Sequence, residues 1–224
     1  MKRIFIPILV AGIVSSCTPT DSTKNTEDTS STIETTVDST LVEVNKELKP
    51  IDTDEALVAT ALMAAPEGSR ANSKVIGYNM AGEFVTLKEG DNEFIIIADN
   101  PTQKGFSAAC YHKSLEPFMA RGRALKAEGK TGQEIFDIRE VEMKLGELEL
   151  TPGSTLQIYY GPDTLYDPAT SKVEGANRRY VIYMPWSTAA STGLPEVPVA
   201  SNHPWIMNPG THRAHIMLSP LPEN

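Results

Sequence analysis

The chain has 224 residues, 40% of them hydrophobic and 22% charged, with 20 Lys and Arg against 29 Asp and Glu and a formal net charge of −9. Nucleic-acid binding draws its affinity from neutralising phosphates, so a chain this acidic is poorly suited to it. Two cysteines, Cys17 and Cys110, allow one disulfide at most.

At the N-terminus, Lys2 and Arg3 precede an apolar run from Ile4 to Val14 that contains Pro7 and Gly12. The run is shorter than the about 20 residues a membrane-spanning helix needs, so residues 1–16 read as a secretory signal peptide. Val14-Ser15-Ser16-Cys17 closes it, and this ending resembles a bacterial lipobox. The resemblance implies cleavage before Cys17 and diacylglycerol on its sulfur. Each buried CH₂ of a lipid chain contributes about 0.8 kcal/mol, so several chains hold a soluble domain at a membrane surface. With Cys17 acylated, Cys110 has no partner within the chain and a disulfide is ruled out. Loss of the signal leaves 18 Lys and Arg against 29 Asp and Glu, a net charge of −11. Thr18 stands where an Asp would mark inner-membrane retention in enteric bacteria. The expected location is therefore the bacterial cell envelope, lipid-anchored, at the outer membrane more than the inner.

Residues 17–50 follow as a linker. Its Thr18–Thr40 stretch holds 13 Ser and Thr and 5 acidic residues, with Ile33 and Val37 as its only aliphatics. Such a segment buries too little apolar surface to offset its ordering entropy, and a disordered tether is expected.

The remaining residues, 51–224, are enough for one domain with its own core. Asp52-Thr53-Asp54-Glu55 ahead of an Ala- and Leu-rich run predicts a helix over 54–65, stopped by Pro66. Residues 74–78, 83–87 and 93–98 are short β-rich runs. The turn-type spacers between them predict antiparallel hairpins. Phe94-Ile95-Ile96-Ile97 is continuously apolar, as a central strand is. A strand from Gly105 leads into a helix, with Ser114 placed as its N-cap and Glu116 and Pro117 in its first turn. Leu115, Phe118, Met119 and Leu125 share one face of that helix, and Gly129 ends it. Residues 131–145 predict a second helix closed by Gly146, although 141–145 also alternate like a strand. Strands are expected at 155–160, 179–184 and 215–218, and the Pro-rich but apolar segment 185–210 as a packed loop. The sum is an α+β domain, a mainly antiparallel sheet with helices packed on it.

The chemistry concentrates in Ser107–Arg123, SAACYHKSLEPFMARGR. On a strand Ala108, Cys110 and His112 share one face and Ala109 and Tyr111 the other. Cys110 and His112 are thus placed as a thiolate–imidazole pair or as two metal ligands. Catalytic zinc needs three protein ligands, and only His203, His212 and His215 stand outside the motif to complete a set. A divalent metal held by His112 with His212 or His215 is the one cofactor these residues leave open. As a nucleophile Cys110 would need a nearby cation or helix N-terminus to lower its pKa, while flanking alanines are what a buried structural thiol has. Catalytic candidates are accordingly Cys110, His112 and Glu116. Ligand-binding candidates are Ser114, Arg121, Arg123, Trp205, His212 and His215. Arg121, Arg123, Lys126, Lys130 and Lys113 form a basic patch that either receives a carboxylate or phosphate or pairs with the chain's own Glu residues. Nucleophile elbow, phosphate loop, HExxH, EF-hand and dinucleotide fingerprints are all missing.

CYHKSLEPFMARGR, with STAASTGLP at 187–195 and PWIMNPGTHRAHIMLSP at 204–220, resembles an uncharacterised family of bacterial exported proteins. The resemblance implies an envelope or secreted location and carries no activity. The expectation is a membrane-anchored envelope lipoprotein that serves as a binding or structural module. The alternative is an envelope hydrolase or metal-dependent enzyme using His112, Glu116 and a C-terminal histidine. The lipid membrane, through acylated Cys17, is the one partner expected.

Overall fold

Short apolar strands bury both of their faces only if a sheet is covered on both sides, and the domain is built that way. A computed structural model describes residues 47–219. The signal peptide, Cys17 and the linker up to residue 46 lie outside the described residues. In chain order the elements are β1 (Lys49–Pro50), α1 (Asp54–Leu62), β2 (Lys74–Tyr78), β3 (Phe84–Lys88), β4 (Phe94–Ile97), β5 (Phe106–His112), α2 (Glu116–Ala127), α3 (Gly132–Lys144), β6 (Thr155–Gly161), β7 (Leu165–Tyr166), β8 (Asn177–Tyr183), α4 (Ala189–Thr192), β9 (Trp205–Met207) and β10 (His215–Leu218). Eight strands form one sheet in the order β3-β2-β4-β5-β6-β8-β10-β9, in which only the β2–β4 pair is parallel. The domain is α+β with a mixed, mostly antiparallel sheet. β1 pairs with β7 in a separate two-stranded ribbon, so regular structure begins at Lys49, two residues ahead of the expected domain start at residue 51.

Alternation along the central strands divides the core in two. Val75, Ile96, Ala108, Cys110 and Tyr159 face α1, where Leu57 and Ala61 are fully buried. Tyr111, Leu156, Val181, Tyr183 and Met217 face α2 and α3, joined by Leu115 and Phe118. α1 starts where predicted, with the Thr53 hydroxyl accepting the Ala56 N–H at 3.1 Å. It stops at Leu62, three residues early, because 63–65 tighten into a turn whose N–H groups reach Thr60, Ala61 and Leu62. α3 settles the ambiguity at 141–145 in favour of helix. The Thr131–Glu134 capping box fixes its start and Gly146, at φ +75°, follows its end.

Two expectations change. β2 and β3 do form a hairpin, but the next turn does not. The chain after β3 passes beneath the start of β2 and lays β4 along its other edge, parallel to it. The crossing is tied down by the Asp91 and Asn92 N–H groups, both donating to Asn72 O at 3.0 and 3.2 Å, and by Lys88 Nζ donating to Ala71 O at 2.7 Å. Gly90 makes it possible, since any Cβ there would collide with the backbone of Ser73 and Lys74. Segment 185–210, expected to be irregular throughout, contains α4 and β9, and β9 pairs with β10 at the sheet edge.

Gly90→Ala is expected to lower the urea midpoint, by about 1–3 kcal/mol of stability, because the backbone of the crossing must move. Gly68→Ala, whose Cβ meets nothing within 4 Å, is the control and should leave the midpoint in place. Equal midpoints for the two variants would refute the role given to the crossing.

Candidate functional site

The strand β5 and the helix after it hold the residues first singled out. Cys110 is fully buried beneath α1, and burial pushes its thiol pKa up to about 12. A thiol in that state is no nucleophile near neutrality. His112 ends the strand. Its Nδ1 accepts the Ser114 N–H at 3.1 Å and lies 2.9 Å from Ser114 Oγ, and its Nε2 is 3.6 Å from Glu93 Oε2. Ser114 is thus not the N-cap but the residue being capped. A 3₁₀ turn, Lys113–Leu115, is interposed, His112 caps it, and α2 begins beyond it with no side-chain cap.

Glu116 is engaged by its neighbours. It accepts hydrogen bonds from the Tyr111 phenol and from Arg123 Nη2, and Arg123 Nη1 donates to Tyr111 OH at 3.2 Å. Burial and the Glu116 bond hold the Tyr111 phenol well above its usual pKa. Arg121 grips Glu142 of α3 through Nε at 2.8 Å and Nη2 at 2.6 Å, and Lys113 meets Glu93 at 2.7 Å. The basic patch is therefore largely neutralised by the chain's own acids, which removes Arg121 as a ligand residue and leaves Arg123 bordering a cavity with two of its donors occupied. Trp205 packs on the core beneath α2 and α3.

The histidines are divided by the sheet. His112 lies on the Cys110 face. His215 stands opposite Tyr183 across the β10–β8 pair and so belongs to the other face. His212 sits in the turn before β10, with its ring 4.6 Å from Phe136 and 6.0 Å from Phe118. Because a turn intervenes, His212 and His215 reach the same core although they stand three residues apart. The expected set of His112, Glu116 and a C-terminal histidine is not assembled. Among the described residues no three His, Cys, Asp or Glu side chains gather as a metal set.

The side chains left with unused chemistry are elsewhere. A cavity of about 540 Å³ lies between the first turn of α3 (Gly132, Gln133, Phe136), the floor of β6, β8 and β10 (Leu156, Ile158, Val181, Met217) and the end of β9. Arg179 of β8 and Arg213 before β10 line it, with Tyr183, Asn208 and His215. The Nε atoms of both arginines are buried and find no hydrogen-bond partner. A third guanidinium, Arg139 of α3, is buried next to them. It stacks 4.0 Å over the Phe118 ring, its Nη1 donates to Phe118 O at 3.3 Å, and Gly122 of α2 leaves it room. Burial and the Arg213 charge lower the Arg139 pKa to about 10, so it stays protonated at neutral pH. None of the three forms an ion pair with a carboxylate among the described residues. The carboxylates on that stretch of α3 are committed, Glu140 to Lys144 and His212 and Glu142 to Arg121. The α3 N-terminus adds positive potential from its dipole. The arrangement is built to attract an anion whose body is apolar.

Sequence reasoning passed over Arg179 and Arg213. The signal available was Arg179-Tyr180-Val181-Ile182-Tyr183, in which period-two spacing puts a guanidinium on the same face as Val181 and Tyr183.

Comparison with protein-family models, with curated proteins and with solved structures finds no match to this chain. Among the described residues no helix is long and apolar enough to cross a membrane.

Two outcomes are expected. Cys110 should resist Ellman's reagent in the native domain and react fully in denaturant; prompt labelling of the folded protein would contradict its assigned burial. Stability should depend on the two buried histidines. Burial, first of all, holds both below the ordinary histidine range, with Arg139 and Arg213 adding to the effect at His212 and Arg213 and Arg179 at His215, while Glu140 and the Arg213 carbonyl oppose it. The unfolded chain takes up these protons near pH 6.5, before the folded chain does. Stability is therefore complete above that pH and declines as pH falls through it, by at most about 1.4 kcal/mol per pH unit for each ring. Urea midpoints at pH 7.5 and 5.5 test this, and His215→Gln should flatten the difference.

Proposed function

We propose that the chain is a lipid-anchored binding module of the bacterial cell envelope, held at the membrane through acylated Cys17, at the outer membrane more than the inner. Its folded domain binds a small organic anion in the Arg179–Arg213 cavity. One observation carries the ligand reading: two guanidiniums line one cavity with buried, unpartnered donors in a chain whose net charge is −9. A buried donor without a partner is costly, and charge-assisted bonds to an anion relieve that cost. The apolar floor of the same cavity suits a hydrocarbon or aromatic body.

The enzymatic alternative loses support from the geometry. His112 lies across the sheet from His212 and His215, Glu116 is engaged by Tyr111 and Arg123, and the Cys110 thiol is buried. The lipobox and the resemblance to exported bacterial proteins support the envelope location. The acidic surface supports a module that is not drawn to nucleic acid.

Fractionation tests the anchor: the protein should stay with membranes, and Cys17→Ser should release it. Fluorescence titration with 8-anilinonaphthalene-1-sulfonate tests the cavity, using the unlipidated Cys17→Ser chain. The anionic probe should bind with unit stoichiometry. Arg213→Gln and Arg179→Gln should each weaken it about tenfold or more, the effect of losing one charge-assisted bond. Unchanged affinity in both variants, with the fold intact, would remove the cavity from the reading.

A further inference from the structure

A second large cavity shares no lining residue with the cationic one. It measures about 500 Å³ and lies between the β2–β3 hairpin, the segment after β4 and the outer turns of α2. Its aromatic wall is the pair Tyr78 and Phe84, packed edge to face with centroids 5.3 Å apart. Arg123 steadies Phe84 from 5.9 Å above the ring, while its own Nη groups hold Glu116 and Tyr111.

Asp99 also lines this cavity, although it is only 5% exposed. Its Oδ1 accepts the Ser107 N–H at 2.9 Å, and no cation pairs with it among the described residues. A carboxylate this deeply buried is ordinarily matched by a positive group. Burial raises its pKa, and backbone donors from Ser107 and Asn100 work against that rise. The opposite wall carries Lys126 of α2, exposed and without an ion pair among the described residues. The cavity is thus dipolar, with an unmatched acid on one side, an unmatched amine on the other and an aromatic wall between strands and helix.

A simple organic cation meets Asp99 but is repelled by Lys126, while Arg123 is already neutralised by Glu116. A simple anion meets Lys126 but is repelled by Asp99. We infer that this cavity binds a small zwitterion of the amino-acid class, a free amino acid or dipeptide with an apolar side chain. Its ammonium pairs with Asp99, its carboxylate with Lys126, and its side chain lies against Tyr78 and Phe84. The pairing supplies Asp99 with the cation that the fold withholds. It also uses each charged group of the cavity that is not already engaged.

The test is calorimetric titration of the Cys17→Ser chain with the dipeptide Phe-Ala, its N-acetyl derivative and its C-terminal amide. The parent dipeptide is expected to bind one to one, and each derivative about tenfold more weakly, since each lacks one charge-assisted bond. Lys126→Met, a substitution at an exposed position, should bring the parent down to the level of the amide and abolish discrimination between those two. Asp99→Asn should do the same for the parent and the N-acetyl form. If that buried variant fails to fold, the derivatives with Lys126→Met still decide the matter. Arg213→Gln, in the other cavity, should leave Phe-Ala binding unchanged. Absence of Phe-Ala binding, equal affinity for all three compounds, or an equal loss in Arg213→Gln would overturn the assignment.

Discussion

The alternation of side chains along β5 is the constraint on which the rest of the domain depends. Seven residues, Phe106–His112, send Ala108 and Cys110 to one side and Ala109 and Tyr111 to the other. Both sides are apolar, so the strand is stable only inside a sheet covered by helices on both faces. α1 supplies one cover and the α2–α3 pair the other. The neighbours of β5 obey the same rule, with Ile96 opposite Cys110 and Leu156 opposite Tyr111. A slip of one residue would exchange the two sets of side chains, setting Tyr111 against α1 and Cys110 against α2 and α3, where neither fits the packing.

This two-sided burial also sorts the charges. Helices that cover a sheet present their outer faces to one another and to water, and there the basic residues of α2 find acids close by: Arg121 meets Glu142, and Arg123 meets Glu116. Where helical cover gives way to cavities, the charges are left unmatched. Arg179 and Arg213 stand over the β6–β8–β10 floor, and Asp99 stands beside Tyr78 and Phe84. In an acidic chain, guanidiniums without an acid partner are informative because acids are plentiful. Their isolation is a product of position and not of composition.

Much of the fold was legible because local rules held. The end of the helix over 131–145 follows from Gly146, and the strand phase of 107–112 follows from its alternation. Two features escaped for physical reasons. The β2–β4 parallel pair depends on Gly90 passing beneath Ser73 and Lys74, a non-local approach that a turn-like spacer does not reveal. β9 is held by the β10 ladder and by the Ile206 N–H donating to Pro195 O, both distant in sequence, so its three residues show no pattern apart from their partners.

The sequence by itself determined the signal-like N-terminus, the acidic balance, the starts of α1 and α3 with the glycine that closes α3, and the division of β5 between two faces. These rest on composition and on neighbours a few residues apart. Only the tertiary structure decided which charges are neutralised. Glu116 and Arg121 looked available and are engaged, while Arg179, Arg213 and Asp99 drew no notice and have no ion-pair partner among the described residues. Charge pairing acts through space over a few ångströms, between residues as distant in sequence as Arg121 and Glu142 or His212 and Glu140. A linear pattern carries no record of such encounters until the sheet has brought them together.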